Sequence, residues 1–260
     1  MRKSLIVSSA AACAALYALG ALATAYIESP WGRGQFRPAV VIPAFFATIF
    51  GPLVGGIGGA IGTFIADSIK HGGPYMPSLV AAVPGNFVAF YLYGAMVRRF
   101  SWRKFIVAGH VSLVVGNVLT AFLYTTYVFG TIMPGLIVGL SIWWYITMLP
   151  FLFLIVPVLV KAVSKAMPSL VPEDVRKASL LEEMPRKEFV LSLVVPGLVM
   201  VGVGAALHFY PVLMAFFFPG KFAKLRPILE GLLKVMFFVT GVANVLCGLI
   251  FGGLSTGKKS

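Results

Sequence analysis

Long apolar stretches alternate with short polar connections along nearly the whole chain. Most of these stretches hold about 20 residues, the length that an α-helix needs to cross a lipid bilayer. The pattern predicts helical segments at about residues 5–26, 39–50, 53–69, 79–97, 105–128, 134–160, 188–210 and 230–253. The segment 39–50 is too short to cross a bilayer alone. We therefore expect an all-α fold, a polytopic membrane helical bundle.

Composition and charge support a membrane location. Hydrophobic residues make up 59% of the chain and charged residues 11%, whereas soluble domains are about 25% charged. The 21 basic and 8 acidic residues give a formal net charge of +13, which in a soluble protein would suggest nucleic-acid binding. Here the basic residues lie in connecting loops, as membrane orientation and anionic headgroups require. The expected partner is the lipid bilayer, not nucleic acid.

The first 25 residues resemble a signal peptide, with Arg2 and Lys3 before an apolar stretch that ends in alanines. The apolar part has about 22 residues, which is longer than the about 7–15 of a signal peptide. We therefore expect a retained first helix. The alternative is cleavage, which would leave a mature N-terminus near residue 26.

Two arrangements fit residues 39–69, which are interrupted at Gly51-Pro52. They form either one broken helix or a tight helical hairpin. With the N-terminus in the cytoplasm, a hairpin places the basic loops at 98–104 and 161–187 inside and the uncharged loop 129–133 outside. A single crossing would reverse all three. The positive-inside rule therefore favours a hairpin that turns at the cytoplasmic side.

The polar stretch 164–187 is interpreted as a cytoplasmic linker between a six-segment core, 1–163, and a two-segment membrane extension, 188–260. The topology of the extension stays open. If 188–210 crosses the membrane, Lys221, Lys224 and Arg226 lie outside; if it is re-entrant, Lys258 and Lys259 do. We expect a multi-pass protein of the cell membrane with a cytoplasmic N-terminus.

The chain offers little catalytic chemistry. The potential metal ligands lie on separate segments: His71, His110, His208, Cys13 and Cys247. We predict no metal site, disulfide, cofactor or enzymatic activity. The run from Gly252 to Lys258 matches a phosphate-binding loop, but Lys259 stands where Ser or Thr is required. No carboxylate lies mid-membrane, which argues against a self-coupled ion-driven carrier.

Polar and aromatic residues gather at the outer ends of the segments. The candidate substrate-binding residues are Glu28, Arg37, Asp67, Asn86, Asn117, Tyr124, Trp143 and Trp144. An amide in lipid is costly without a partner, so both asparagines should face the bundle interior. Other roles fit the same residue types: an interfacial belt for the tryptophans, helix–helix hydrogen bonds for the asparagines and a structural ion pair for the Arg and Asp.

The first helix carries Ala10, Ala14 and Ala18 at four-residue spacing, with Ala11 and Ala15 beside them. Small residues at this spacing let another helix approach closely. We assign partner-helix docking to Ala10, Ala14 and Ala18. The partner helix belongs either to this chain or to another protein.

Several of these features together resemble the substrate-binding S-component of an energy-coupling factor (ECF) transporter over about residues 1–163. They are Ala10, Ala14, Ala18, Arg37-Pro38, Pro43, Phe50-Gly51-Pro52, Gly55, Gly59, Asp67, Pro84-Gly85-Asn86, Gly94 and Gly116-Asn117. The resemblance implies six helices that bind a vitamin or other micronutrient from outside. It also implies a transmembrane coupling subunit that docks on the alanine face, two cytoplasmic ATPases, and toppling of the S-component to release the substrate inward.

Two features depart from that pattern. The extension 188–260 has no counterpart in the six-helix family. The chain begins Met1-Arg2, without the Met-His start of nickel and cobalt members, so metal uptake is not expected. Two alternative functions remain: a structural or assembly subunit that uses the extension as its partner surface, and a membrane enzyme acting on lipid or isoprenoid.

Overall fold

A computed structural model describes residues 3–218 and 226–254, and most of these residues are helical. The helices are α1 (Lys3–Ala23), α2 (Val41–Phe50), α3 (Pro52–Lys70), α4 (Val83–Met96), α5 (Trp102–Phe129), α6 (Pro134–Ala166), α7 (Glu173–Leu181), α8 (Arg186–Phe209), α9 (Met214–Phe217) and α10 (Arg226–Leu254). A 3-10 turn, Pro38–Val40, precedes α2, and a π-helical turn, Ser78–Ala82, leads into α4. Within the described ranges, seven helical stretches are long and apolar enough to cross a membrane. The predicted all-α membrane bundle is confirmed.

Helices α2 and α3 form an antiparallel hairpin around Gly51-Pro52. Gly51 has φ +93°, a conformation that favours glycine, and Pro52 begins α3, where its missing N–H costs nothing. Gly55 faces Ala47, and a Cβ on Gly59 would lie 3.4 Å from Pro43 Cβ. Residues further along α3 thus contact residues earlier in α2. Residues 39–69 therefore form a hairpin, as the loop charges predict.

The glycines of α3 allow α1 to pack closely against it. A Cβ on Gly62 would lie 2.7 Å from the Ala14 carbonyl oxygen and 3.0 Å from the Tyr17 ring. Ala10, Ala14 and Ala18 are all buried. The helix that meets this alanine face therefore belongs to the chain itself.

This packing corrects the docking prediction for the three alanines. Their side chains are buried within the chain, with α3 against Ala10 and Ala14, so little of this face is left for a partner protein. The neighbouring ladder, Ala11 and Ala15, is exposed.

The hairpin turn lies at the same end of the bundle as the basic loop between α4 and α5. A Cβ on Gly94, near the end of α4, would lie 2.6 Å from Pro52 Cα. The helix α7 also packs at this end: the Phe100 N–H donates to Asp174 Oδ2 (2.6 Å), and Trp102 Nε1 donates to the Ala178 carbonyl (3.1 Å). The predicted linker thus contains a helix that packs against the core.

The C-terminal helices α8 and α10 pair with each other and attach to α6. Pro150 lies inside α6, and because proline has no N–H, it leaves the Ile146 carbonyl without its usual helical donor. Asn244 Nδ2 on α10 donates to that carbonyl at 3.1 Å. The Phe189 ring of α8 also packs edge-on against Phe153 of α6, with centroids 5.6 Å apart. The extension is therefore fixed to the core by specific contacts.

Some sequence-based expectations fall on residues outside the described ranges. They concern Arg2, Lys221, Lys224, Lys258 and Lys259.

Candidate substrate-binding site

A cavity of about 890 Å³, counted with its open mouth, lies at the end of the bundle away from the hairpin turn. Its walls come from the loop 24–37, the end of α3 and the facing sides of α4, α5 and α6. We call residues 24–37 the covering loop.

A buried ion pair between Arg37 and Asp67 forms part of the wall. The hairpin brings them together, because Arg37 precedes the first arm and Asp67 is near the end of the second. Arg37 also donates to Thr63 Oγ1 and, at 2.9 Å, to Gln35 Oε1. Ser78 Oγ donates to Asp67 Oδ2 at 2.6 Å. These bonds satisfy the buried charges and join the covering loop to α3 and the π-helical turn.

The amide of Asn86 is held by its neighbours. Its Nδ2 donates to the Ala82 carbonyl (2.8 Å), and its Oδ1 accepts from the Tyr17 hydroxyl (3.1 Å). Asn86 therefore makes the helix–helix hydrogen bond expected of an amide in lipid and also lines the cavity.

Asn117 differs from Asn86. Its side chain is nine-tenths buried and lines the cavity, yet Nδ2 has no hydrogen-bond partner among the residues described. Thr120 and Tyr124 follow on the same face of α5 and also line the cavity. An unpaired buried donor is costly, and this one belongs to a residue that lines the cavity.

Aromatic rings provide flat apolar surfaces. Trp144 Nε1 donates to the Gln35 carbonyl at 3.2 Å, and its ring packs on Gly34, where a Cβ would lie 2.8 Å away. At the mouth, His71 and Tyr75 stack with centroids 3.6 Å apart and planes 2° from parallel.

The covering loop is a small hairpin of its own. The Ser29 N–H donates to the Gly34 carbonyl (2.9 Å) and the Phe36 N–H to the Ile27 carbonyl (2.7 Å). Lys70 of α3 donates to Glu28 Oε1 at 2.6 Å. The loop is therefore internally bonded and tied to α3 at the cavity mouth.

The structure brings together most of the predicted site residues. The cavity is lined by Glu28, Arg37, Asp67, Asn86, Asn117, Tyr124 and Trp144. Trp143 is buried but does not line it. Both tryptophans are only 8% exposed, so neither belongs to a lipid-facing aromatic belt.

The eight-residue site omits five polar residues that line the cavity beside its predicted members: Arg33, Gln35, Lys70, His71 and Tyr75. Four further polar residues, within or next to helices, were also missed: Tyr17, Thr63, Ser78 and Thr120. Of these four, only Thr120 had a usable signal, because it lies between Asn117 and Tyr124 at helical spacing. The others contact the site through helix packing. Within the ranges described, no group of three or more His, Cys, Asp or Glu side chains is placed to hold a metal ion.

Comparison with known proteins identifies the family. No curated protein and no solved structure gives a significant match to the chain. A family model described as the ECF-type riboflavin transporter, S component, matches residues 4–165, and every residue that lines the cavity lies within that match. The chain therefore belongs to the family of S components of ECF-type riboflavin transporters.

Proposed function

We propose that this chain is the substrate-binding subunit of an ECF uptake transporter and that its cavity binds riboflavin. The observation that carries the proposal is the position of the cavity wholly inside the family-matched segment. The chain adds no nucleotide-binding motif in that segment. Energy for uptake then comes from separate ATPases that act through a coupling subunit.

The cavity chemistry suits this ligand. Riboflavin has a flat ring system with carbonyl and ring-nitrogen acceptors and a polyhydroxyl chain. The unpaired Asn117 Nδ2 supplies a donor for a ring carbonyl, and the faces of Trp144 and Tyr124 supply aromatic surface. Glu28 and Arg33 at the covering loop offer partners for the hydroxyl groups.

We propose that the cavity opens to the outside and that the N-terminus is cytoplasmic. The basic residues Arg98, Arg99, Arg103 and Lys104 follow α4 at the end that carries the hairpin turn. Positively charged loops are retained in the cytoplasm. The cavity at the opposite end then faces the external substrate.

Impermeant thiol labelling of intact cells tests this orientation. Gly73 lies in open space near the mouth, and the Arg103 side chain is 79% exposed at the basic end. We expect Gly73→Cys to be labelled from outside and Arg103→Cys only after lysis. The reverse pattern would overturn the orientation.

We propose the exposed side of α1, with Ala11 and Ala15, as the contact for the coupling subunit. The buried Ala10, Ala14 and Ala18 then serve to fix α1 on α3. The exposed small residues allow close helix approach in lipid.

Binding of riboflavin to the purified full chain tests the substrate. We expect quenching of flavin fluorescence and thermal stabilisation that grows with ligand concentration, by about 2.7 kcal/mol at 100 times Kd. Thiamine and biotin serve as control vitamins. Absence of both responses to riboflavin would overturn the proposed substrate, and stabilisation by a control vitamin alone would reassign it.

A further inference from the structure

The C-terminal extension contacts the covering loop at Trp31. This side chain is 4% exposed and, unlike Gly32 and Arg33 that follow it, does not line the cavity. Its Nε1 donates to the Phe217 carbonyl of α9 at 2.8 Å. Its ring lies 6.2 Å from that of Phe218 and packs on Gly139 of α6, where a Cβ would be 2.5 Å from the indole.

The acceptor for Trp31 is itself fixed in place. Met214 and Phe217 of α9 are buried, and the Phe217 ring packs against Phe237 of α10 with centroids 6.0 Å apart. The extension is in turn attached to α6 by the bond from Asn244 to the Ile146 carbonyl. Trp31 thus inserts into a socket with one wall from the core and the other from the extension.

The loop that carries Trp31 also supplies Glu28, Arg33, Gln35 and Arg37 to the cavity. Because the loop is internally hydrogen-bonded, movement of its tip and of its cavity-facing side are coupled. Opening the cavity at this loop requires Trp31 to leave the socket, which breaks a buried hydrogen bond and exposes a large aromatic surface.

We infer that the C-terminal extension holds the covering loop over the cavity through Trp31, and so slows exchange of the ligand. Trp31 is a positioning residue: it contacts the extension that anchors the loop, and it does not line the cavity. The extension thereby belongs to the binding apparatus, although it lies beyond the family-matched residues 4–165. This inference rests on the proposed function for its ligand, but the loop restraint can be measured without one.

The test compares Trp31→Phe with Trp102→Phe in the full chain. Trp102 is a matched control: it is 5% exposed, and its Nε1 donates to the carbonyl of the buried residue Ala178 at 3.1 Å. It lies at the basic end, away from the cavity. Both variants lose one indole hydrogen bond, so a general loss of stability affects both.

The first readout is amide hydrogen exchange over residues 27–36 without ligand. We expect exchange about threefold to tenfold faster in Trp31→Phe and unchanged in Trp102→Phe. Equal acceleration in both variants, or none in Trp31→Phe, would overturn the restraint. This readout decides the inference even where riboflavin does not bind.

The second readout is the release rate of riboflavin, followed by recovery of its fluorescence after dilution. We expect release to be faster by a similar factor in Trp31→Phe and unchanged in Trp102→Phe. Unchanged release with accelerated loop exchange would overturn the link to ligand exchange. If the unsubstituted chain does not bind riboflavin, the proposed substrate is overturned. The hydrogen-exchange measurement alone then decides whether Trp31 restrains the loop.

Discussion

Arg37 and Asp67, thirty residues apart in sequence, form an ion pair whose side chains are only 8% and 6% exposed. Each charge has further hydrogen-bond partners, Thr63 and Gln35 for the guanidinium and Ser78 for the carboxylate. Such a pair tolerates burial because its charges and hydrogen-bonding groups are satisfied together. The pair joins the covering loop to α3 and gives the cavity a polar wall.

Asp67→Asn is expected to destabilise the protein by about 3–5 kcal/mol, because the buried Arg37 charge loses its counter-charge while the side-chain shape is kept. Denaturant unfolding in detergent measures the change. The double variant Arg37→Met with Asp67→Leu should be more stable than Asp67→Asn, since it buries no unpaired charge.

The exposed pair of Lys177 and Glu173 provides the control. Its side chains are 62% and 68% exposed, so Glu173→Gln should leave the unfolding midpoint almost unchanged. Equal effects of Asp67→Asn and Glu173→Gln would contradict the role given to the buried pair.

Gly62→Ala tests the close contact of α1 and α3. A Cβ at Gly62 would lie 2.7 Å from the Ala14 carbonyl oxygen, a backbone atom that cannot rotate away. We expect a loss of about 1–3 kcal/mol, measured as a lower Tm.

Gly202→Ala is the matched substitution for Gly62→Ala. Gly202 also lies within a helix, but its Cβ position is open. There alanine should stabilise by about 0.5–1 kcal/mol through its better helix propensity. Tm shifts of the same sign in the two variants would argue against a contact specific to Gly62.

The sequence predicted the helix positions well, because the length of an apolar stretch and the Gly and Pro residues that interrupt it are local features of the chain. The hairpin at Gly51 also followed from sequence, since loop charge distinguishes one crossing from two. The rotation of each helix did not follow. Neighbouring residues such as Trp143 and Trp144 point about 100° apart around a helix, and only packing decides which one faces the cavity.

The same limit explains the alanine ladder and the missing site residues. Small residues on α1 indicated a face for a close helix, but the complementary glycines of α3 settled which helix occupies it. Tyr17 and Thr63 contact site residues only because α1 and α3 pack together in the folded bundle. No local pattern marks a tyrosine in an apolar helix as the partner of Asn86.

Ala15→Leu tests the proposed docking side of α1. Ala15 is exposed and Ala14 is buried. We expect Ala15→Leu to fold and bind riboflavin normally but to recover much less coupling subunit and ATPase in a pull-down from co-expressing cells, because bulk blocks close helix approach.

Ala14→Leu should instead overpack the contact with α3 and destabilise the chain by about 1–3 kcal/mol. A thermal unfolding curve of the isolated protein measures this. Normal recovery of the partner subunits with Ala15→Leu would move the docking surface elsewhere on the bundle.

Asn117→Leu separates binding from stability. Its Nδ2 has no partner within the described residues, so its loss should not lower Tm, whereas riboflavin affinity should fall about fivefold to a hundredfold. Asn244→Leu is the opposite case, because that amide bonds the carbonyl left free by Pro150. It should cost about 1–3 kcal/mol of stability and leave equilibrium affinity nearly unchanged. Paired measurements of Tm and Kd distinguish the two amides, and a stability loss in Asn117→Leu with unaltered Kd would assign Asn117 to packing instead of recognition.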